Sequence, residues 1–91
     1  MSVAVHLPAV LSKLADGRRV VELEGTTVGD VVDDAARRFP ELAPRLRDER
    51  GQPYSFVTFY LNDDDIRLRQ GFGTPVQDGD ELTLVPAIAG G

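Results

Sequence analysis

The stretch from Thr27 to Pro40 constrains the fold more than any other. Val28, Val31, Val32, Ala35 and Phe39 recur at i, i+3, i+4, i+7 and i+11, an apolar stripe along one face of a helix. Thr27 is placed to cap the amide three residues on, and Asp30 to reach back as in a capping box. Asp30 also lies at the positive end of the helix dipole. Asp33–Arg37 and Asp34–Arg38 have the favourable i,i+4 orientation and are expected on the exposed side. Pro40 stops the helix. Such a stripe must be buried against something, and the rest of the chain offers strands.

Val3, Val5 and Leu7 alternate with Ala4 and His6, the period of a half-buried strand that Pro8 ends. Val10, Leu11 and Leu14 give one helical turn in the connection that follows, and Asp16-Gly17 is a turn dipeptide. Arg18 to Glu24 alternates again, with Val21 and Leu23 on one face and Val20, Glu22 and Glu24 on the other. Leu42 and Leu46 anchor a short turn in the weakly patterned segment before Tyr54. Phe56 to Leu61 is rich in β-branched and aromatic residues, with Val57, Phe59 and Leu61 facing one way. Asn62 to Asp65 forms a polar turn, and Ile66 to Leu68 is expected as a short returning strand. Gly71 to Val76 is a loop, and Gln77 to Asp80 a turn before a last strand, Glu81 to Val85. The core is expected to combine Val31, Val32, Phe39, Val57, Phe59, Leu82 and Leu84. The order β-β-α-β-β-β predicts an α+β fold, a mixed sheet of four to five strands around one main helix.

Ninety-one residues suffice for one domain with one core. No apolar run approaches the ~20 residues of a membrane-spanning helix, and the opening residues lack the basic and apolar regions of a signal peptide. A cytoplasmic location is expected. The absence of cysteine excludes disulfides, Cys-based metal sites and a thiol nucleophile. A net charge of −5 and a pI near 4.6 argue against nucleic acid or an anionic membrane as main partner. They suit a protein partner with a basic surface.

The chain closes on Pro86-Ala87-Ile88-Ala89-Gly90-Gly91. Pro86 has no amide proton and ends or edges a ladder. The division expected is a domain over 1–85 and a flexible tail over 86–91. From Val85 the tail can extend roughly 20 Å at ~3.3–3.6 Å per residue. It carries no polar side chain, and two glycines let a chain pass a channel too narrow for side chains. An ordinary frayed terminus is the plain alternative.

The capped helix from Thr27, Phe59-Tyr60-Leu61-Asn62-Asp63, Asp78-Gly79-Asp80-Glu81 and the final Gly90-Gly91 together resemble the MoaD/ThiS sulfur-carrier family of ubiquitin-like β-grasp proteins. Within it the Val-x-Val-x-Leu-Pro opening and the Pro-Ala-Ile-Ala-Gly-Gly ending are similar to the CysO branch, with Ile88 where that branch has valine. The resemblance implies that the chain is a protein co-substrate and not an enzyme, and that it binds no cofactor of its own. It implies that an E1-like activating enzyme uses ATP to adenylate Gly91, and that sulfide then replaces AMP to give a C-terminal thiocarboxylate. A sulfur-accepting synthase would consume it; in the cysteine branch a pyridoxal-phosphate synthase makes a carrier–cysteine adduct and a zinc peptidase releases the cysteine. One carrier could also feed several sulfur-inserting enzymes, thiosugar synthases among them.

Gly91, with Gly90 for access, is therefore the expected reacting end, and Pro86, Ile88 and Ala89 the part a partner grips. If Val57, Phe59, Leu61, Leu82 and Leu84 face the helix, then Ala4, Phe56, Thr58, Tyr60, Thr83 and Val85 face outward. Phe56, Tyr60 and Val85 would make an apolar patch on a face that should be polar, the mark of a partner surface. His6 has no Ser or Cys beside it to serve, so a surface role is expected. Asp63-Asp64-Asp65 lacks the glycine and distant glutamate of a calcium loop and reads as a solvated turn. Two other classes remain open: a ubiquitin-like modifier conjugated through Gly91, and an interaction domain with an inert tail.

Overall fold

The structure, a computed structural model, describes residues 1–87. Its strands are β1 (Ser2–His6), β2 (Val20–Glu24), β3 (Val57–Leu61), β4 (Asp64–Asp65) and β5 (Glu81–Pro86). Its helices are α1 (Ala9–Ser12), α2 (Val28–Arg38) and α3 (Ala43–Leu46). The strands form one mixed sheet in the order β2-β1-β5-β3-β4, with β1 parallel to β5 and the other pairs antiparallel. This is the expected ubiquitin-like β-grasp.

The alternation in the strands decides which face meets α2. Val3, Val5, Val21, Leu23, Val57, Phe59, Leu61, Leu82 and Leu84 are buried beneath it, and the helix returns Val28, Val31, Val32 and Ala35. Leu42 and Leu46 are fully buried and close one end of the core. Phe39, expected in the core, is half-buried: it is the C-cap of α2, where the backbone leaves helical geometry (φ −132°, ψ 80°), and it packs against the margin of the core. The connection after β1 holds more helix than the single turn expected, α1 followed by a 3-10 turn over Lys13–Ala15.

Thr27 caps α2 as expected, its hydroxyl accepting the Asp30 amide at 3.1 Å. Asp30 reaches one residue further back than a capping box requires and accepts the Thr26 amide and hydroxyl at 3.1 and 2.8 Å. Those bonds from Thr26 hold the Asp30 carboxyl below its ordinary pKa. Gly25 makes this approach possible, because a Cβ there would lie 2.5 Å from the Asp30 Cβ.

Two expectations are corrected. Asp34 is buried and not on the exposed side, and Asp33 pairs with Arg47 instead of Arg37. Arg37 and Arg38 both turn to Asp34, at 3.1 and 3.3 Å. The returning strand is Asp64–Asp65, while Ile66–Leu68 is a 3-10 turn that buries Ile66 and leaves Leu68 in solvent. Asn62, at φ 55°, turns the chain early enough for Leu61 to pair with Asp64.

Candidate functional site

Two features converge at one end of the sheet: the last residues of β5 and the outer face of β3 and β5. β5 runs one residue beyond the expected boundary, since Pro86 still pairs with Val57, and the Ala87 amide donates to the Phe56 carbonyl at 2.8 Å. That bond points toward β3. Backbone groups alternate sides along a strand, so the missing Pro86 N–H lies on the side away from β3, where no β3 bond is lost. Ile88, Ala89, Gly90 and Gly91 lie outside the described residues.

Phe56, Tyr60 and Val85 are brought together as expected. Val85 stands opposite Thr58 and diagonal to Tyr60, whose own partner is Thr83. Phe56 flanks Val85 on the other diagonal, beside the root of the tail. Phe56 is 58% exposed and Val85 43%, with Tyr60 half-buried on the far side of Val85. The Phe56 ring meets Tyr54 edge-on, 5.5 Å between centroids, which orders the exposed aromatic without covering it.

Across β1 the same face continues. His6 pairs with Thr83 on one side and Val20 on the other, and Val20 is 48% exposed. Val20 belongs to this face, although the patch read from the sequence omits it; the alternation of β2 already places it outward, and the β1–β2 register puts it in the row. Further from the tail the face becomes acidic and polar. Glu22 accepts the Ser2 hydroxyl at 2.7 Å, and Glu81 lies 2.7 Å from the His6 Nε2. The outer face is thus apolar where the tail departs and anionic at the opposite end.

The aspartates after β3 are taken up by arginines: Asp64 by Arg69 at 2.7 Å and Asp65 by Arg67 at 2.6 Å. The bonds from Arg67 lower the Asp65 pKa. Among the described residues no group of three or more His or acidic side chains converges to hold a metal ion. Nor is any helix among them long and apolar enough to cross a membrane.

With this geometry the chain matches the ThiS family over residues 5–91. It belongs to that family. This ThiS-family chain is 37% identical over 93 residues to the sulfur carrier protein CysO of Mycobacterium tuberculosis, all of both chains being covered. It superposes with a TM-score of 0.91 and 38% identity on a chain of the Amycolatopsis orientalis BexX/CysO complex, covering 98% of this chain and 99% of that one. SAMP1 from Haloferax volcanii superposes at a TM-score of 0.83 with 30% identity over the whole of both chains.

Proposed function

We propose that the chain is a sulfur carrier that reacts at the carboxylate of Gly91. A carboxylate is a poor electrophile, so ATP first converts it to an acyl-adenylate with release of pyrophosphate. Hydrosulfide then attacks the acyl carbon and AMP leaves, giving the thiocarboxylate. An E1-like enzyme performs the adenylation, and a synthase takes the sulfur. The observation that carries this reading is the full-length likeness, through the final Gly-Gly, to proteins named sulfur carriers. The chain acts as co-substrate: it contains no cysteine with which to trap its own acyl-adenylate.

The apolar patch of Phe56, Tyr60 and Val85 serves as the docking surface, with Pro86, Ile88 and Ala89 leading Gly90 and Gly91 into the partner's active site. A chain of the BexX/CysO complex at 38% identity supports a body that docks on partner enzymes. Intact-protein mass spectrometry after incubation with the host's activating enzyme, ATP and sulfide tests the reading. The expected product is the free carrier, heavier by the difference between sulfur and oxygen. A second reading, a modifier joined through Gly91 to lysines, draws on 33% identity to small archaeal modifier protein 1 of Haloferax volcanii over 91% of this chain. It predicts a ladder of conjugates instead.

A further inference from the structure

Resting on that reading, the structure bears on what separates the reactive tail from the sheet. β1 and β5 run parallel, Ala4 opposite Glu81 and His6 opposite Thr83. In a parallel ladder each inward residue donates to the carbonyl one before its partner and accepts from the amide one after. The Ala4 amide does donate to the Asp80 carbonyl, at 3.0 Å. Which residues face which neighbour is fixed independently. The Met1 carbonyl accepts the Gly25 amide and the Leu7 amide donates to Arg19, so odd residues of β1 serve β2 and even ones serve β5. The Ala87–Phe56 bond likewise assigns odd residues of β5 to β3 and even ones to β1.

The rung at His6 therefore uses the Leu82 carbonyl and the Leu84 amide. The next rung would join an amide at position 8 to the Leu84 carbonyl, and an amide at position 86 to the Pro8 carbonyl. Both positions are proline. Pro8 still has extended backbone, φ −68° and ψ 161°, so the missing donor and not a change of backbone shape closes the rung to it. Its carbonyl is turned to other use, accepting the Leu11 and Ser12 amides at 2.9 Å each.

We infer that Pro8 and Pro86 act as a paired stop, deleting both donors of the rung at which β1 would otherwise zip onto the root of the tail, while α1 engages the Pro8 carbonyl. They are positioning residues for activation at Gly91. Past the stop, the root pairs, among the described residues, with β3 alone, through Val57 and Phe56. Its other side is left for the wall of an enzyme channel.

The test uses the full chain with Pro8→Ala, Pro86→Ala and both, read by amide hydrogen exchange and by adenylation with the host's activating enzyme. The double variant should show a protected amide at position 8, bonded to the Leu84 carbonyl, and one at position 86 where it shares the Pro8 carbonyl with the α1 amides. Its adenylation kcat/KM should fall roughly three- to tenfold, the effect of breaking about one net backbone hydrogen bond before the tail can enter. Freely exchanging amides at both positions in the folded variants would overturn the stop. Protected amides with unchanged adenylation would overturn its service to the tail. If the double variant fails to fold, each single variant restores one donor and decides on the same readouts. A wild-type chain that is never adenylated refutes the proposed function, while the exchange readout still decides the stop.

Discussion

The Asp34 carboxylate on α2 accepts the backbone amide of Glu24, at the end of edge strand β2, at 3.0 Å. β2 pairs with β1 through its odd residues, so the even ones direct their backbone groups outward, the template for unwanted strand addition. Asp34 occupies the Glu24 N–H, and Arg38, bonded to Asp34 at 3.3 Å, reaches the Glu22 carbonyl at 3.5 Å. An i,i+4 pair on the helix thus covers an i,i+2 pair of edge groups. The opposite edge, β4, is two residues long and flanked by arginine–aspartate pairs.

Asp34→Ala should therefore cost ~1–3 kcal/mol, because it leaves a backbone donor and two arginines without their acceptor. Burial alone would raise the Asp34 pKa, but the Glu24 amide and the two guanidiniums outweigh it and hold the carboxyl below its ordinary value. The sign follows from linkage: the stabilisation is fully present above the unfolded-state pKa of about 3.9 and drains as pH falls through the lower folded value. Urea denaturation from pH 7 down to pH 2 should show wild type losing more stability than Asp34→Asn. Parallel pH profiles would contradict the role given to Asp34.

Phe59 carries the second prediction. It is 2% exposed, sits mid-strand on β3 and meets Phe72 edge-on at 5.4 Å between centroids. Phe59→Ala should cost ~3–5 kcal/mol in chemical denaturation. A loss below about 1 kcal/mol would mean that the core does not rest on it.

How far the sequence reaches is clearest where it fails. The stripe of α2 and the alternation of β1, β2, β3 and β5 are periodic, and periodicity is what a single sequence displays. Asp33 and Asp34 are adjacent and equally well spaced for a helical ion pair, so spacing alone cannot say that Asp34 turns to the edge of β2. Asp64–Asp65 has poor strand propensity, and the left-handed Asn62 that makes it pair is a backbone choice no pattern reveals. Of the site, the patch of Phe56, Tyr60 and Val85 was legible from alternation. The opposition of Pro8 and Pro86 depends on register between strands at the two ends of the chain, and only the assembled sheet supplies it.

The third prediction concerns docking. Tyr60→Glu or Val85→Glu puts a charge in the middle of the apolar half of the outer face. Each should weaken binding to the activating enzyme by at least ~1–2 kcal/mol, as when a central interface contact is lost, and leave the fold intact. Calorimetry against that enzyme measures it. Unchanged affinity in both variants would place the interface elsewhere.

The fourth prediction is chemical. Deleting Gly91, or extending the chain beyond it with an uncleaved tag, should abolish thiocarboxylate formation. Thermal stability should be unchanged, because Gly91 has no side chain to contribute to a core. Full activity with the tag in place would remove Gly91 as the reacting group.

The last prediction names the acceptor. The Leu7-Pro8 opening and the Pro86-to-Gly91 ending resemble the cysteine-forming branch, and the full-length likeness to CysO favours it over a thiamine or molybdopterin role. A thin tail without polar side chains can enter many active sites, so under the docking proposed above the body would choose among synthases, above all through Val20, Phe56, Tyr60 and Val85. Purified thiocarboxylate carrier, given O-phosphoserine and its host's pyridoxal-phosphate synthase, should gain the mass of one cysteinyl residue and lose the sulfur increment. Tyr60→Glu should slow that transfer, and should do so even when the thiocarboxylate is supplied preformed, which separates docking on the synthase from docking on the activating enzyme. If no cysteinyl adduct forms while sulfur passes to a sugar or pterin acceptor, the cysteine assignment is wrong and the carrier chemistry stands.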